Sequence, residues 1–379
     1  MKRVYDLLII GAGVSGAVLA SSLVNKGFKG KIGIIENGRN FGGRCSSRIS
    51  LKNTGWTLNH GSPNFNIQSN PNKLLSKFLN ELLKKDLIFL DDSEVIEINN
   101  NLETSHNQNN IFYQGKVYRA RSTMSLLLEE LVNEGIKFNK IELFFKTLVK
   151  NFNFKNNKWF ISSDDLEFEA NFLISSSNLI LHKRSMQILK KDKIPIREAI
   201  PEGENRKVDK IINFLNKQES IERKNYLIYP NKLYKYKKIN LKNDIHFLFD
   251  NKAENKFGFE RIIFQKQASQ NIGIVIHTKN LNLKRLSEDN ITSDKLIDKF
   301  NYIFKNSNLI NVINDYGDIS IMKWRSSQPK GLGIPKQFQI CEKNKLAFCG
   351  DWFDFSGFGR VEGAIQSALY LSSKVMKYL

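Results

Sequence analysis

The chain has 379 residues, 41% of them hydrophobic and 11% aromatic, and carries a formal net charge of +20 from 58 Lys and Arg against 38 Asp and Glu. That composition is too apolar for a disordered chain, and the length suits about two domains. The basic residues are interleaved with Asn and Ile, as in "KNNKWF" and "YKYKKINLKND", not gathered into an arm or a helical stripe, so the charge reads as a solvated surface and argues against a nucleic-acid partner. Three cysteines without a CxxC pair give no zinc site and no disulfide framework; a reducing, cytoplasmic location is the simpler expectation, and no metal site is read.

The first element is the run "YDLLII" at 5–10, a short apolar strand, followed by "GAGVSG". Its uncharged continuation to Val24 has the apolarity of a membrane span or a signal segment, but the spacing of Gly11, Gly13 and Gly16 between a strand and a helix is that of a phosphate-binding turn. Gly11 allows the tight turn, Gly13 close approach of a pyrophosphate, and Gly16 close packing of helix on strand, while Val14 and Ser15 open the helix whose amino end faces the phosphates. A second strand, "KIGIIE", ends in Glu36, 20 residues after Gly16, where a carboxylate can accept hydrogen bonds from a ribose; Asn37 follows it. The unit βαβ is complete, and nucleotide binding is the expectation.

Next comes "NGRNFGGRCSSRIS", with Gly42, Gly43 and Arg44. Far downstream, residues 346–368 read "LAFCGDWFDFSGFGRVEGAIQSA", a strand, the pair Gly350 and Asp351, a glycine-rich loop and a helix of small residues. With the amino-terminal turn, these segments resemble the flavin amine oxidase superfamily. The resemblance covers about the first 180 and the last 60 residues and implies FAD as cofactor. It places Gly43 and Arg44 near the diphosphate, Asp351 on the ribityl chain, and the helix start from Val361 through Gly363 to Ala364 at the flavin N1/C2=O edge. A helix dipole there stabilises the charge of reduced flavin. It also implies that Val149, in "GIKFNKIELFFKTLVKNFNFKNNKWFISS", clasps adenine through its backbone ahead of a tryptophan-bearing hairpin.

Within the superfamily, "GWTLNHGSPNFNI" at 55–67 and "MKWRSSQP" at 322–329 resemble the renalase-like branch. The branch's Asp-x-Gly is Asn59, His60 and Gly61 in this chain, so a carboxylate near the flavin is missing. His60 and Trp324 are the candidate substrate-pocket residues; Trp324 could equally fill core, and His60 could be a packed histidine. No catalytic side chain is assigned, because flavin itself carries the hydride chemistry.

The fold expected is α/β: a two-domain FAD-binding Rossmann-type (glutathione-reductase-like) fold with an α+β substrate domain built on an antiparallel sheet. Residues 1–72, 115–178 and 322–379 would form the flavin domain, and 73–114 and 179–321 the substrate domain. The first insertion would start with a helix over "NKLLSKFLNELLKKDLI", with Leu74, Leu75, Phe78, Leu79, Leu82 and Leu83 on one face. "SDKLIDKFNYIF" shows helical spacing at Leu296, Ile297, Phe300, Ile303 and Phe304. The function implied is hydride transfer from an amine or reduced nicotinamide-type small molecule to flavin N5, with O2 or another acceptor reoxidising it and no integral membrane segment. Two rivals stay open: a carotenoid-type desaturase, which requires an apolar tunnel, and a non-catalytic nucleotide- or nucleic-acid-binding protein.

Overall fold

The computed structural model describes residues 2–52, 55–68, 70–106, 110–230, 241–266, 272–280, 292–307, 309 and 316–379. Residues 234–240 of the lysine-rich stretch quoted above, which runs from 234 to 244, lie outside them.

The amino-terminal unit forms as its spacing predicts. Strand β1 (Arg3–Ile10) runs into helix α1 (Val14–Asn25), and strand β2 (Ile32–Ile35) returns parallel to β1. All four residues of β2 and the last four of β1 are buried, as expected of parallel strands covered on both faces. Five parallel strands make the centre of an eight-stranded sheet: Ile141–Phe144, β2, β1, the second half of Glu167–Ser175, and Leu346–Phe348. The hairpin Asn151–Lys155 and Lys158–Ser162 extends it through the first half of Glu167–Ser175, and its Trp159 is fully buried, donating to the Asn344 carbonyl at 2.9 Å.

The uncharged opening stretch is a core helix. α1 is 12 residues long and buries Val14 through Ala20 and Leu23, and no described helix is long and apolar enough to cross a membrane. Its partner is the terminal helix Val361–Val375. Ala17 and Ala20 of α1 share a core with Ala364 and Ala368 of that helix, and the small side chains let the two backbones approach. Ser15 donates to the Ala364 carbonyl at 3.1 Å, Ser22 and Ser372 pair at 2.9 Å, and Lys26 reaches Ser372 at 2.7 Å.

A second sheet of seven strands runs in the order Tyr316–Lys330, Glu219–Pro230, Ile272–Thr278, Phe259–Lys266, Ile245–Phe249, Glu94–Ile98 and Thr104–Ser105. It is antiparallel except where Ile245–Phe249 pairs parallel with Glu94–Ile98. Side chains alternate across it. Tyr226, Ile228, Ile262, Phe264, Ile274 and Ile276 pack beneath the helices Asn251–Phe257 and Ser293–Ile303, whose Phe257, Leu296, Phe300 and Ile303 complete that core. The opposite face carries Arg223, Asn225, Arg261, Gln265 and His277, and it turns toward the first sheet.

The boundaries expected from sequence shift in three places. Helix Lys73–Lys84 packs Leu75, Leu79 and Leu82 into the α1 core, with Leu74 and Leu83 exposed, so it covers the amino-terminal βαβ unit. Residues 179–217 do the same on the other face: Val208, Ile211, Ile212 and Leu215 of helix Arg206–Lys217 close over Tyr5, Leu8 and Trp159. Tyr316–Lys330 is one strand paired with Glu219–Pro230 from end to end, so position 322 falls inside it and not at a crossing between sheets. For Lys73–Lys84 the apolar face was legible in the sequence, but not which sheet it would cover.

Candidate functional site

The two ends of the chain and the polar face of the second sheet enclose one cavity of about 420 Å³. At its nucleotide end stand Gly11, Gly13, Val14, Ser15, Glu36, Asn37, Gly42, Gly43, Arg44 and Cys45; from the tail come Gly350, Asp351, Gly359, Arg360, Val361 and Ala364. Both helices begin here without a side-chain cap: Gly13 is the N-cap of α1 and Arg360 that of the terminal helix, and neither side chain accepts a hydrogen bond from the first turn. Each leaves first-turn N–H groups and the positive end of a helix dipole at the cavity, an arrangement suited to anions.

Gly42 shows why this sequence builds the wall. Its φ of +136° is closed to side-chain-bearing residues, a Cβ would lie 2.5 Å from the Ser46 Cα, and its N–H donates to the Ala12 carbonyl at 3.0 Å. The pair Gly42 and Gly13 thus makes a short parallel bridge that fixes the loop after β2 against the start of α1. Glu36 accepts from the Ala12 N–H at 2.9 Å and the Gly38 N–H at 2.6 Å, which orients its carboxylate at the strand end.

Arg44 and Asp351, 307 residues apart, form a two-pronged ion pair, with Nη1 to Oδ2 at 2.6 Å and Nη2 to Oδ1 also bonded. Burial pulls Arg44 toward the neutral form, but Asp351 more than offsets it and holds the guanidinium above its usual range. Asp351 is buried, whereas the Arg44 side chain stays 38% exposed, open to the cavity. We expect Asp351→Asn to destabilise the protein by about 2 kcal/mol, less than a fully buried pair would lose when broken. A urea-unfolding midpoint equal to wild type would show the link to be inert.

Of the residues expected to hold a cofactor, Gly16, Val149 and Gly363 do not line the cavity. Gly16 and Gly363 sit behind it, at the close approaches of Gly16 to the Gly11 carbonyl and of Gly363 to the Gly357 carbonyl. Val149 is buried with Phe144 and Phe152, although its neighbours are tied to the site, Thr147 N–H to the Glu36 carbonyl at 3.0 Å and Lys146 N–H to the Gly38 carbonyl at 2.8 Å. Trp324 lines the cavity, and His60 lies behind it, stacked at a centroid distance of 5.3 Å. Burial first, then Arg48, lowers His60 to about 4, so it is a neutral packed ring. Asn59, in place of a carboxylate, accepts from Ser47 at 2.7 Å and from the Met124 N–H at 3.0 Å and lies away from the cavity. Cys45 is raised to about 12, mostly by burial, and so is a protonated thiol.

Two groups were missed. Ser176, Ser177, Asn178, Leu179 and Arg184 follow the strand Glu167–Ser175 and line the nucleotide end. Arg184 donates to Asn178 Oδ1 at 2.7 Å and is lowered to about 10, by burial first and then by Arg44, so two guanidiniums face one space. The second group is the row on the second sheet: Asn225 is paired with His277 and His277 with Arg261 across three adjacent strands, and Trp324 stands opposite Arg223 on the next. The signal was a polar residue inside each otherwise apolar strand-like run, "RIIF" and "IGIVIHT"; Ile263 and Val275 share the face of Arg261 and His277, so alternation alone does not mark it.

Residues 9–82 match the NAD(P)-binding Rossmann-like domain family. Over its whole length the chain has the fold of flavin amine oxidases. Wild-type putrescine oxidase bound to putrescine aligns over 100% of both chains with a TM-score of 0.65 at 10% identity. Cyclohexylamine oxidase from Brevibacterium oxydans IH-35A aligns over 98% of this chain and 99% of its own, also with a TM-score of 0.65 at 10% identity. No curated protein matches the sequence.

Proposed function

We propose that this chain is an FAD-dependent oxidoreductase of the amine oxidase type, taking two electrons from an amine or a reduced nicotinamide-type small molecule. The observation that carries the reading is the junction of two uncapped helix starts with Arg44, Arg184 and Asp351 at one cavity formed from both ends of the chain. The residues fit the group: Glu36 is placed for the adenosine ribose, the α1 start with Arg44 and Arg184 for the diphosphate, and the terminal helix start for the N1/C2=O edge of the flavin. Bound there, FAD would supply a two-electron acceptor for hydride from the substrate.

The protein's own contribution is to bind and orient. Trp324, held by the His60 stack, forms one wall, and Asn225 donates to the His60 carbonyl at 2.5 Å, locking the second sheet to the segment after Arg44. The polar row Arg223, Asn225, Arg261 and His277 gives little support to a desaturase with an apolar tunnel. The renalase-like placement rests on the segments 55–67 and 322–329, with Asn59–Gly61 a departure from the branch's Asp-x-Gly; reoxidation by O2 and a cytoplasmic location remain parts of the same proposal. The interspersed charge favours no nucleic-acid partner.

The test is the absorption spectrum of the purified protein, followed by anaerobic mixing with candidate amines and reduced nicotinamides. A flavin band bleached by one of the two donor classes is the expected result. A colourless protein that takes up no added FAD overturns the proposal.

A further inference from the structure

We propose that the second-sheet end of the cavity receives an oxyanion carried by the substrate, a carboxylate or a phosphate, beside Arg261. This names a substrate class for the flavin site above and rests on that reading, although the charge argument itself concerns only this chain's side chains.

Among the described residues, five arginines line the cavity (Arg44, Arg184, Arg223, Arg261 and Arg360) against three carboxylates, Glu36, Glu260 and Asp351. Each of those carboxylates is engaged. Glu36 accepts the two backbone N–H groups, Asp351 holds Arg44, and Glu260 pairs with Arg223 through Nη2 at 2.8 Å and Nη1 at 2.5 Å. Arg223 also donates to the Thr278 carbonyl at 2.9 Å, so its charge and its donors are used.

Arg261 is different. Only 8% exposed, it has neutral partners within hydrogen-bond distance: its Nε donates to His277 Nδ1 at 3.3 Å, and the Tyr113 hydroxyl lies within reach. Its face covers the Phe112 ring at 4.9 Å. Glu260 Oε2 is 3.8 Å from Nε, beyond hydrogen-bond distance and already shared with Arg223. The acids farther out are also committed, Asp91 to Asn64 and Ser93, and Asp244 to Arg119 at 2.7 Å. A guanidinium held in a low-dielectric wall, whose nearest carboxylate lies 3.8 Å away and is shared with Arg223, favours an incoming anion far more than it would in water.

The surroundings add fixed polar capacity. His277 lines the cavity, and its Nε2 is buried without a hydrogen-bond partner; because Nδ1 accepts from Arg261, Nε2 carries the N–H and can donate to an oxyanion. Burial first, then Arg261 and Arg223, keep His277 well below its ordinary range, hence neutral and without a competing charge of its own. A diamine would meet the reverse of what it needs, a net positive wall whose acids are occupied.

The experiment titrates flavin-loaded protein calorimetrically with three probes of one shape: benzoate, phenyl phosphate and benzylamine. One or both oxyanions are expected to bind at least tenfold more tightly than benzylamine; which one identifies the oxyanion. Arg261→Met should weaken that binding at least tenfold, and Glu260→Gln, which raises the local charge by one, should tighten it severalfold. Benzylamine binding within tenfold of the better-bound anion, or none of the three binding, overturns the proposal. The preference among probes is read on the wild-type protein, so it stands even if a variant fails to fold. Failure of the flavin reading is separate, seen as a protein that takes up no FAD, in which case the same three titrations on the unloaded protein decide the anion question.

Discussion

Gly16→Ala is expected to abolish FAD retention and to destabilise the fold by about 3 kcal/mol or more, beyond the usual range for one added methylene in a packed core. A Cβ at this position would lie 2.0 Å from the Gly11 carbonyl oxygen and 3.0 Å from Ser176 Oγ. Ser176 Oγ already donates to both the Ile10 and Gly11 carbonyls, at 3.1 and 3.0 Å, so neither obstacle is the loose end of a flexible side chain. The helix must move away from β1, and its first turn, with Val14 and Ser15, moves with it out of the cavity wall. The bond from Ser15 to the Ala364 carbonyl breaks in the same displacement. Flavin content after gel filtration and the urea midpoint measure the two effects; a yellow variant of wild-type stability would mean that the turn is not what positions the helix.

The second large effect is acid lability. Four of the chain's five histidines sit in positions that disfavour their charged form: burial lowers His60 and His182 to about 4 and His246 to about 3, and takes His277 well below the ordinary value. In the unfolded chain all titrate near the ordinary ~6.5. Between about pH 6.5 and 4 the unfolded state therefore binds more protons, so the stabilisation is complete above ~6.5 and is lost as the pH falls. His60 alone accounts for roughly 3 kcal/mol over the whole window at about 1.4 kcal/mol per unit. Asp244, raised to about 6 by burial ahead of its other neighbours, acts in the opposite direction, as do Glu222 and Glu254, both raised first by burial. A net loss on the order of a few kcal/mol between pH 7 and pH 5 is expected, with proton uptake on unfolding. An unfolding free energy flat across that range would refute it.

The parts of this architecture legible in the sequence are those whose residue identities are dictated by backbone contact. Gly11, Gly13 and Gly16 announced a strand, a turn and a helix, and Glu36 its return strand, because few other residues satisfy those geometries. The tail segment around Asp351 was legible for the same reason, although its bond to Arg44, 307 residues away, could not be read from either end alone. Val149 and His60 illustrate the limit. Both lie in segments that reach the cavity's neighbourhood, but a strand register and one stacked ring decide which side chain lines the wall, and neither is local information. Arg261 and His277 sat in runs legible as strands, but their meeting depends on register across neighbouring strands. The helix Lys73–Lys84 was legible as amphipathic, and nothing within it said which sheet it would cover, whereas Arg206–Lys217 was not read from the sequence at all.

The bond between Ser15 and Ala364 spans 349 positions of the chain. At a synthesis rate of roughly 5 to 20 residues per second, the glycine turn leaves the ribosome tens of seconds before the helix that completes its pocket. Throughout that interval the newborn polypeptide presents an unfinished apolar seam along Ala17 and Ala20, so its yield in the cell hinges on how long that seam can wait for its partner.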